Sequence, residues 1–319
     1  MVTERPEARG NRYEHMFYTR VMRPAYREEP CRTALNRVQG MPFEWSLNPY
    51  MGCAHRCSFC YVRAFEQRAD RPSGSAYGSS IRVKINIVEI LARELARRSW
   101  RGAGVAVGAA TDPYQPAEGR YRLTRGCLER LAAAANPFAV ITRSPLIVRD
   151  LELLAHAARR AEVSVAFSVP CLDEDVWRAT EPGTAPPRQR LRALRTLAEA
   201  GIRTSVAIAP ILPGISDRRD QLAAVVEAAR ESGAHGVWSG VLYLKPGTRE
   251  HFLESLAGSW PELVPRYEAL YAGRAHLPGA EVAPLRARVD ALARERGIGE
   301  GRAPTLRPPP APCQLSLGL

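Results

Sequence analysis

The stretch that decides the reading runs Asn48-Pro49-Tyr50-Met51-Gly52-Cys53-Ala54-His55-Arg56-Cys57-Ser58-Phe59-Cys60-Tyr61. Its three cysteines stand at C-x3-C-x2-C spacing. Thiolates so placed can take three irons of a cubane and leave the fourth iron open to a chelating small molecule. Zinc is the competing metal, but structural zinc sites close with four ligands. His55 is the neighbouring candidate for a fourth. It lies between the first two cysteines, where loop geometry would strain a site shared around one ion. An iron–sulfur centre on Cys53, Cys57 and Cys60 is therefore the favoured assignment.

Outward from this segment, short apolar runs alternate with helical periodicity. Strands are expected at 43–47, 105–109, 138–142, 163–169, 204–209 and 237–244. Helices are expected at 86–100, 123–136, 149–160, 188–200 and 217–232. In the first of these, Ile87, Ile90, Leu91 and Leu95 stand at helical spacing and Asn86 can cap the start. Six strands alternating with helices indicate a parallel sheet joined by right-handed crossovers. A closed eight-unit barrel asks for about 250 residues. The expected fold class is thus α/β, a partial (β/α)6 TIM-like barrel, with a doubly wound sheet as the alternative. Either architecture gathers ligands at the C-terminal ends of its strands. Residues 1–41 read as an irregular lead-in and 42–245 as the core. Residues 246–298 read as a helical extension, with helices at 249–256, 260–272 and 284–296, and 299–319 as a flexible Pro-rich tail.

The 319 residues carry 45 Lys and Arg against 33 Asp and Glu, a net charge of +12. Such an excess favours nucleic acid or another polyanion. Lys84 and Lys245 are the only lysines, and enrichment in Arg, Ala and Pro equally reflects genome composition, so charge alone does not choose. No apolar run approaches the roughly 20 residues of a membrane helix, and the first ten residues lack the apolar core of a secretory signal. No membrane partner and a cytoplasmic location are expected. The remaining cysteines, Cys31, Cys127, Cys171 and Cys313, are scattered and read as buried or incidental thiols.

With aromatic Phe59 immediately before the last cysteine, the loop resembles the signature of the radical S-adenosylmethionine (SAM) superfamily. Across residues 42–245 the likeness sharpens to its spore photoproduct lyase-like branch. It rests on Asn48-Pro49-Tyr50, the cysteines, Arg82-Val83, Asn86, Thr111-Asp112, Thr142-Arg143, Phe167-Ser168, Glu181-Pro182-Gly183-Thr184, Arg190-Leu191 and Ala209-Pro210-Ile211. The resemblance implies a [4Fe–4S] cluster on Cys53, Cys57 and Cys60 that binds SAM through its methionyl amine and carboxylate. One-electron cleavage then yields a 5′-deoxyadenosyl radical for hydrogen abstraction, with a small electron-transfer protein as reductant. It further implies Phe59 near the adenine, Thr111 and Asp112 at the methionyl amine, and Arg143 facing the carboxylate, which a guanidinium fork suits. Ser168 would reach the cofactor's polar groups, and the Ala209 backbone would meet the adenine. Glu118 is a second candidate for the amine, and Glu181 is equally a structural anchor.

One departure bears on the substrate. The lyase that names the branch carries a cysteine hydrogen-atom donor at the second strand tip, where this chain has Ala109 or Ala110. Cys127, in the following helix, is a poor substitute. The text from Asp112 to Glu118 resembles uncharacterised bacterial relatives instead, so the substrate is open, with a nucleic-acid base ranked first. The reading from a different class is a DNA-associated iron–sulfur protein whose cluster is structural or redox-active without turnover. Finally, Gln314-Leu315-Ser316-Leu317-Gly318-Leu319 resembles the peptides by which bacterial repair and replication proteins dock on the DNA sliding clamp. Leu317 and Leu319 would fill an apolar pocket with Gln314 at its rim. The late aromatic residue of that motif is absent, and an inert tail is the alternative.

Overall fold

The computed structural model describes residues 24–300. The clamp-docking reading of residues 314–319 lies outside them. Eleven strands occur in the described chain: β1 (Ala25–Glu29), β2 (Leu35–Arg37), β3 (Trp45–Leu47), β4 (Tyr50–Met51), β5 (Ser80–Lys84), β6 (Val105–Val107), β7 (Phe138–Thr142), β8 (Val163–Ser168), β9 (Arg203–Ile211), β10 (Gly236–Val241) and β11 (Gly299–Glu300). The main sheet has the order β11-β10-β9-β8-β7-β6-β3-β2. All its neighbours pair in parallel except β2, which runs antiparallel to β3. Its six central strands, β3 and β6–β10, are the six expected from the sequence, and they form the partial (β/α)6 barrel. No pairing joins the β2 and β11 edges among the described residues.

The strands read as nearly continuous apolar text because helices cover one face and the barrel interior the other. Val105, Val107, Phe138, Val140, Val165, Phe167, Val206 and Ile208 are fully buried. They share one core with Leu91, Leu128, Leu154, Leu194, Leu197 and Leu222 from the covering helices. Each such side chain contributes roughly 1.5–3 kcal/mol. The crossover helices are Ile87–Leu95, Leu123–Ala133, Leu151–Ala158, Pro187–Glu199 and Arg219–Glu231, close to the expected spans.

Strands β5 and β11 were not expected, the latter pairing with β10 at the start of the span read as a tail; three further differences have physical causes. The lead-in is not wholly irregular, because β1 adds to β5 and β2 to β3, so neighbours supply hydrogen bonds that the polar text alone does not announce. The span 260–272 breaks into a 3-10 turn at Pro261–Leu263 and a helix at Val264–Leu270, with Pro265 near the helix start. The last helix, expected to start at Pro284, runs from Gly279 to Glu295 and holds that proline inside. There the ring removes one i→i−4 bond, a cost the helix's contact with the core offsets.

A small sheet, β1-β5-β4, stands beside the barrel. Its two-residue strand β4 leads directly into the cysteine loop, so this sheet decides where that loop begins.

Candidate active site at the strand C-termini

The loop 52–62 crosses the C-terminal rim of the parallel strands. Two tight turns wind it: Arg56 N–H donates to Cys53 O at 3.3 Å and Cys60 N–H to Cys57 O at 3.2 Å. The rim grips it from several sides. Ala54 N–H donates to Gln115 Oε1 at 3.0 Å, and Gln115 Nε2 donates to Gly52 O at 3.1 Å. Ser58 N–H donates to Thr180 O at 2.9 Å, and Gly183 N–H to His55 O at 3.1 Å. Gly183 touches the loop so closely that a Cβ there would lie 2.4 Å from Ala54 O. Arg63, almost wholly buried, donates to Cys57 O and Arg56 O and, across to the following segment, to Ser73 O and Gly74 O.

Cys53 and Cys57 are buried and Cys60 is half-buried. Burial pushes the Cys57 and Cys60 thiols up, and the negative charge of neighbouring cysteines adds to it. Burial would raise Cys53 too, but His55 beside it wins and lowers it. Burial alone would lower the His55 imidazole; Cys53 and Asp112 reverse that and carry it up to about 10. Three cysteines on one loop, with His55, Arg63 and Arg143 beside them, form a donor set that, once deprotonated, suits cationic irons. No three His, Cys, Asp or Glu side chains among the described residues close around one point as a single ion requires. A cubane does not need that closure, since each thiolate takes a different iron.

The strand tips supply the rest. At the end of β6, Thr111 is buried and donates its hydroxyl to Tyr50 O at 2.6 Å, while Asn48 Oδ1 accepts from Ala110 N–H at 2.9 Å. Asp112 accepts from Tyr114 N–H (2.9 Å), the Thr142 hydroxyl (2.7 Å) and Arg143 N–H (2.6 Å). Its Oδ2 also lies 3.4 Å from His55 Nδ1, an ion pair without hydrogen-bond alignment. Asp112 therefore clamps the β6 tip, the β7 tip and the cysteine loop together. At the end of β7, Arg143 donates from Nε to Glu181 at 2.7 Å and from its terminal nitrogen to Ala209 O at 3.3 Å, and its guanidinium lies 5.7 Å from the Phe59 ring centre. Buried Arg190 donates to Glu181, to Ser168 O at 2.8 Å, to Ala185 O and to Thr184 Oγ1. Phe59 shares an apolar cluster with Cys57, Cys171, Leu212 and Leu242.

The structure thus gathers Cys53, Cys57, Cys60, Phe59, Thr111, Asp112, Arg143, Ser168 and Ala209 on one rim; Glu181 with Arg190 ties Arg143 to Ser168, and Arg143 reaches on to Ala209. Glu118 is elsewhere engaged, accepting from Tyr50 Oη, Thr124 N–H and Arg149. Cys127 is fully buried in the main core and cannot act at the mouth. Sequence reasoning missed Asn48 as a tip clamp, Gln115, Arg63 and Tyr77. Asn48 and Gln115 lie in stretches singled out in the sequence, but their roles were not legible there, and Arg63 and Tyr77 stand in no motif; each acts through a backbone carbonyl, an amide or a sulfur that only folding brings near.

The sequence profile described as the radical SAM superfamily matches residues 47–224, more than half of the chain and all of the rim just described up to β9. The chain belongs to the radical SAM superfamily. An uncharacterised protein of Mycobacterium tuberculosis (strain H37Rv) is 38% identical over 298 residues, covering 92% of this chain and 86% of its own. The Radical SAM Nalpha-GlyT isomerase of Pseudomonas phage M6 is 28% identical over 174 residues, 54% of this chain and 34% of that protein. Among solved structures, spore photoproduct lyase with bound AdoMet and dinucleoside spore photoproduct superposes with a TM-score of 0.63 at 16% identity, covering 85% of this chain and 79% of the lyase. At that identity the likeness concerns the fold. The fold is therefore that of a radical SAM enzyme, and no helix among the described residues is long and apolar enough to cross a membrane.

Proposed function

We propose that this radical SAM enzyme holds a [4Fe–4S] cluster on Cys53, Cys57 and Cys60 and cleaves SAM reductively to abstract hydrogen from a nucleic-acid base. The observation that carries the first part is the cysteine loop wound at the C-terminal rim, with Arg143 held beside it by buried Glu181. When bound, the cluster and SAM supply one-electron cleavage of a sulfonium C–S bond and a 5′-deoxyadenosyl radical. Arg143 offers a fixed cation to a carboxylate, because Glu181 orients its fork. Asp112 acts by positioning: its carboxylate is spent on Tyr114, Thr142, Arg143 and His55. The Phe59, Cys171 and Leu212 wall excludes water on the Cys57 side.

The substrate part rests on a ledge at the mouth. Tyr61 and Phe65 are two of the four large apolar side chains left exposed among the described residues. Their rings meet edge-on at 5.9 Å. Arg68 and Lys245 lie 5.8 and 6.0 Å from the Phe65 ring centre, and Lys245 also lies 5.3 Å from that of Tyr243, which meets the His276 ring at 4.2 Å. Aromatic faces interleaved with cations suit stacked bases on an anionic backbone. An electron-transfer protein as reductant, and a sliding clamp at residues 314–319, complete the proposal. Its test is anaerobic reconstitution with iron and sulfide. Wild-type protein should take up about four irons and absorb near ~400 nm, and Cys57→Ala should not. Tight zinc binding without iron uptake would refute it.

A further inference from the structure

After the short helix Arg63–Arg68, residues 69–79 turn back and lie against the cysteine loop. Arg63 staples the two: its guanidinium donates to Ser73 O (2.7 Å) and Gly74 O (2.6 Å) on the returning segment, and to Arg56 O (3.2 Å) and Cys57 O (3.3 Å) on the loop. Gly78 has φ +76, and a Cβ there would lie 2.3 Å from Cys53 O, so the segment presses directly on the loop. This return delivers Tyr77, 2% exposed, among Cys53, Val62 and Cys60. Its hydroxyl lies 3.6 Å from Cys60 Sγ, and the Arg63 guanidinium sits 4.6 Å from its ring centre. A buried tyrosine hydroxyl needs a polar partner, and here that partner is a sulfur.

Resting on the reading that Cys60 is a cluster ligand, we infer that Tyr77 is a positioning residue that donates its O–H to Cys60 Sγ and raises the reduction potential of the cluster. In a free thiol either atom can donate; a thiolate bound to iron has no proton, so the phenol must. One electron from an external reductant adds one negative charge to the cluster, and part of that charge resides on the sulfurs. A donor aimed at sulfur stabilises the reduced form more than the oxidised one. The phenol keeps its proton throughout, and no bond forms or breaks at Tyr77. Arg63 stiffens the arrangement and adds a fixed positive charge on the same side.

The test is a redox titration of reconstituted protein, with the reduced cluster counted by electron paramagnetic resonance. Tyr77→Phe removes the donor and keeps the ring. It should load a full complement of iron, while the reduced-to-oxidised ratio at a fixed poise falls about tenfold, equivalent to 59 mV for one electron. Replacing Tyr77 by 3-fluorotyrosine, a stronger donor of nearly the same shape, should move the ratio in the opposite direction, which a merely structural role would not do. A fully loaded Tyr77→Phe protein with an unchanged potential would overturn the inference and leave the cluster reading intact. Failure of Tyr77→Phe to load, with wild type loaded, would also overturn it, by showing that Tyr77 holds the loop rather than tunes it. A wild-type chain that takes up no iron would remove the cluster reading itself, and the inference with it.

Discussion

Glu181→Gln tests the buried charge network that orients Arg143. Glu181 is 1% exposed and its carboxylate meets two guanidinium groups, Arg143 at 2.7 Å and Arg190 at 3.1 and 3.2 Å. Arg190 is itself fully buried. Removing one member of such a set leaves uncompensated buried charge, which costs about 3–5 kcal/mol. Glutamine keeps one oxygen acceptor, so about 3 kcal/mol is expected, or roughly 4–5 °C in Tm for a chain of this size. The pH dependence has a defined sign. Burial pushes the Glu181 carboxyl up, but Arg190 and Arg143 outweigh it and hold it below its ordinary value of 4.5. A carboxyl depressed in the native state contributes stability that is complete above its unfolded pKa and is lost as pH falls through the native one. The wild-type advantage over Glu181→Gln should therefore be flat from pH 8 to pH 5 and shrink below 4.5. Denaturant titration of the metal-free proteins under anaerobic, reducing conditions measures both quantities. A difference under about 1 kcal/mol at pH 7, or one that grows on acidification, would refute the reasoning.

Gly183→Ala places a methyl 2.4 Å from Ala54 O and 2.8 Å from the His55 backbone; the cysteine loop must shift, so iron retention during chelator challenge should fall several-fold while the secondary structure, read by circular dichroism, is unchanged. Phe65→Ser removes an exposed stacking face, worth about 1–3 kcal/mol per base. Fluorescence anisotropy should show about tenfold weaker binding to single-stranded DNA with the same salt slope, since no charge is lost, and unaltered affinity would count against the ledge. Deleting residues 314–319 should abolish co-elution with a bacterial sliding clamp and leave SAM cleavage untouched; retained clamp binding would remove the tail reading.

The barrel was legible because its signal is repeated. Five Val-, Ile- and Ala-rich runs alternating with helical stripes, preceded by the aromatic-containing run 43–47, can be read without knowing what they touch, and β7 fell on the expected residues, Phe138–Thr142. Strand β5, Ser-Ile-Arg-Val-Lys, was missed because five alternating residues in a polar setting carry little signal until β1 and β4 pair with them. At the site, the cysteines announce themselves by spacing. Thr111 and Asp112 were legible as strand-tip residues but not as clamps, because their partners, Tyr50 O and the Thr142, Arg143 and His55 groups, come from separate elements. Tyr77 and Arg63 were invisible for the same reason. A carbonyl or sulfur acceptor has no residue-type signature, and the 69–79 return that aligns them is irregular.

The most direct test of the central claim is the fate of SAM. Wild-type protein, reconstituted anaerobically and reduced with dithionite, should convert SAM to 5′-deoxyadenosine and methionine, and the Cys57→Ala protein treated alike should form neither. A wild-type protein that carries the full cluster and binds SAM, yet forms no 5′-deoxyadenosine with or without single-stranded DNA, would contradict the account and favour a cluster kept without turnover.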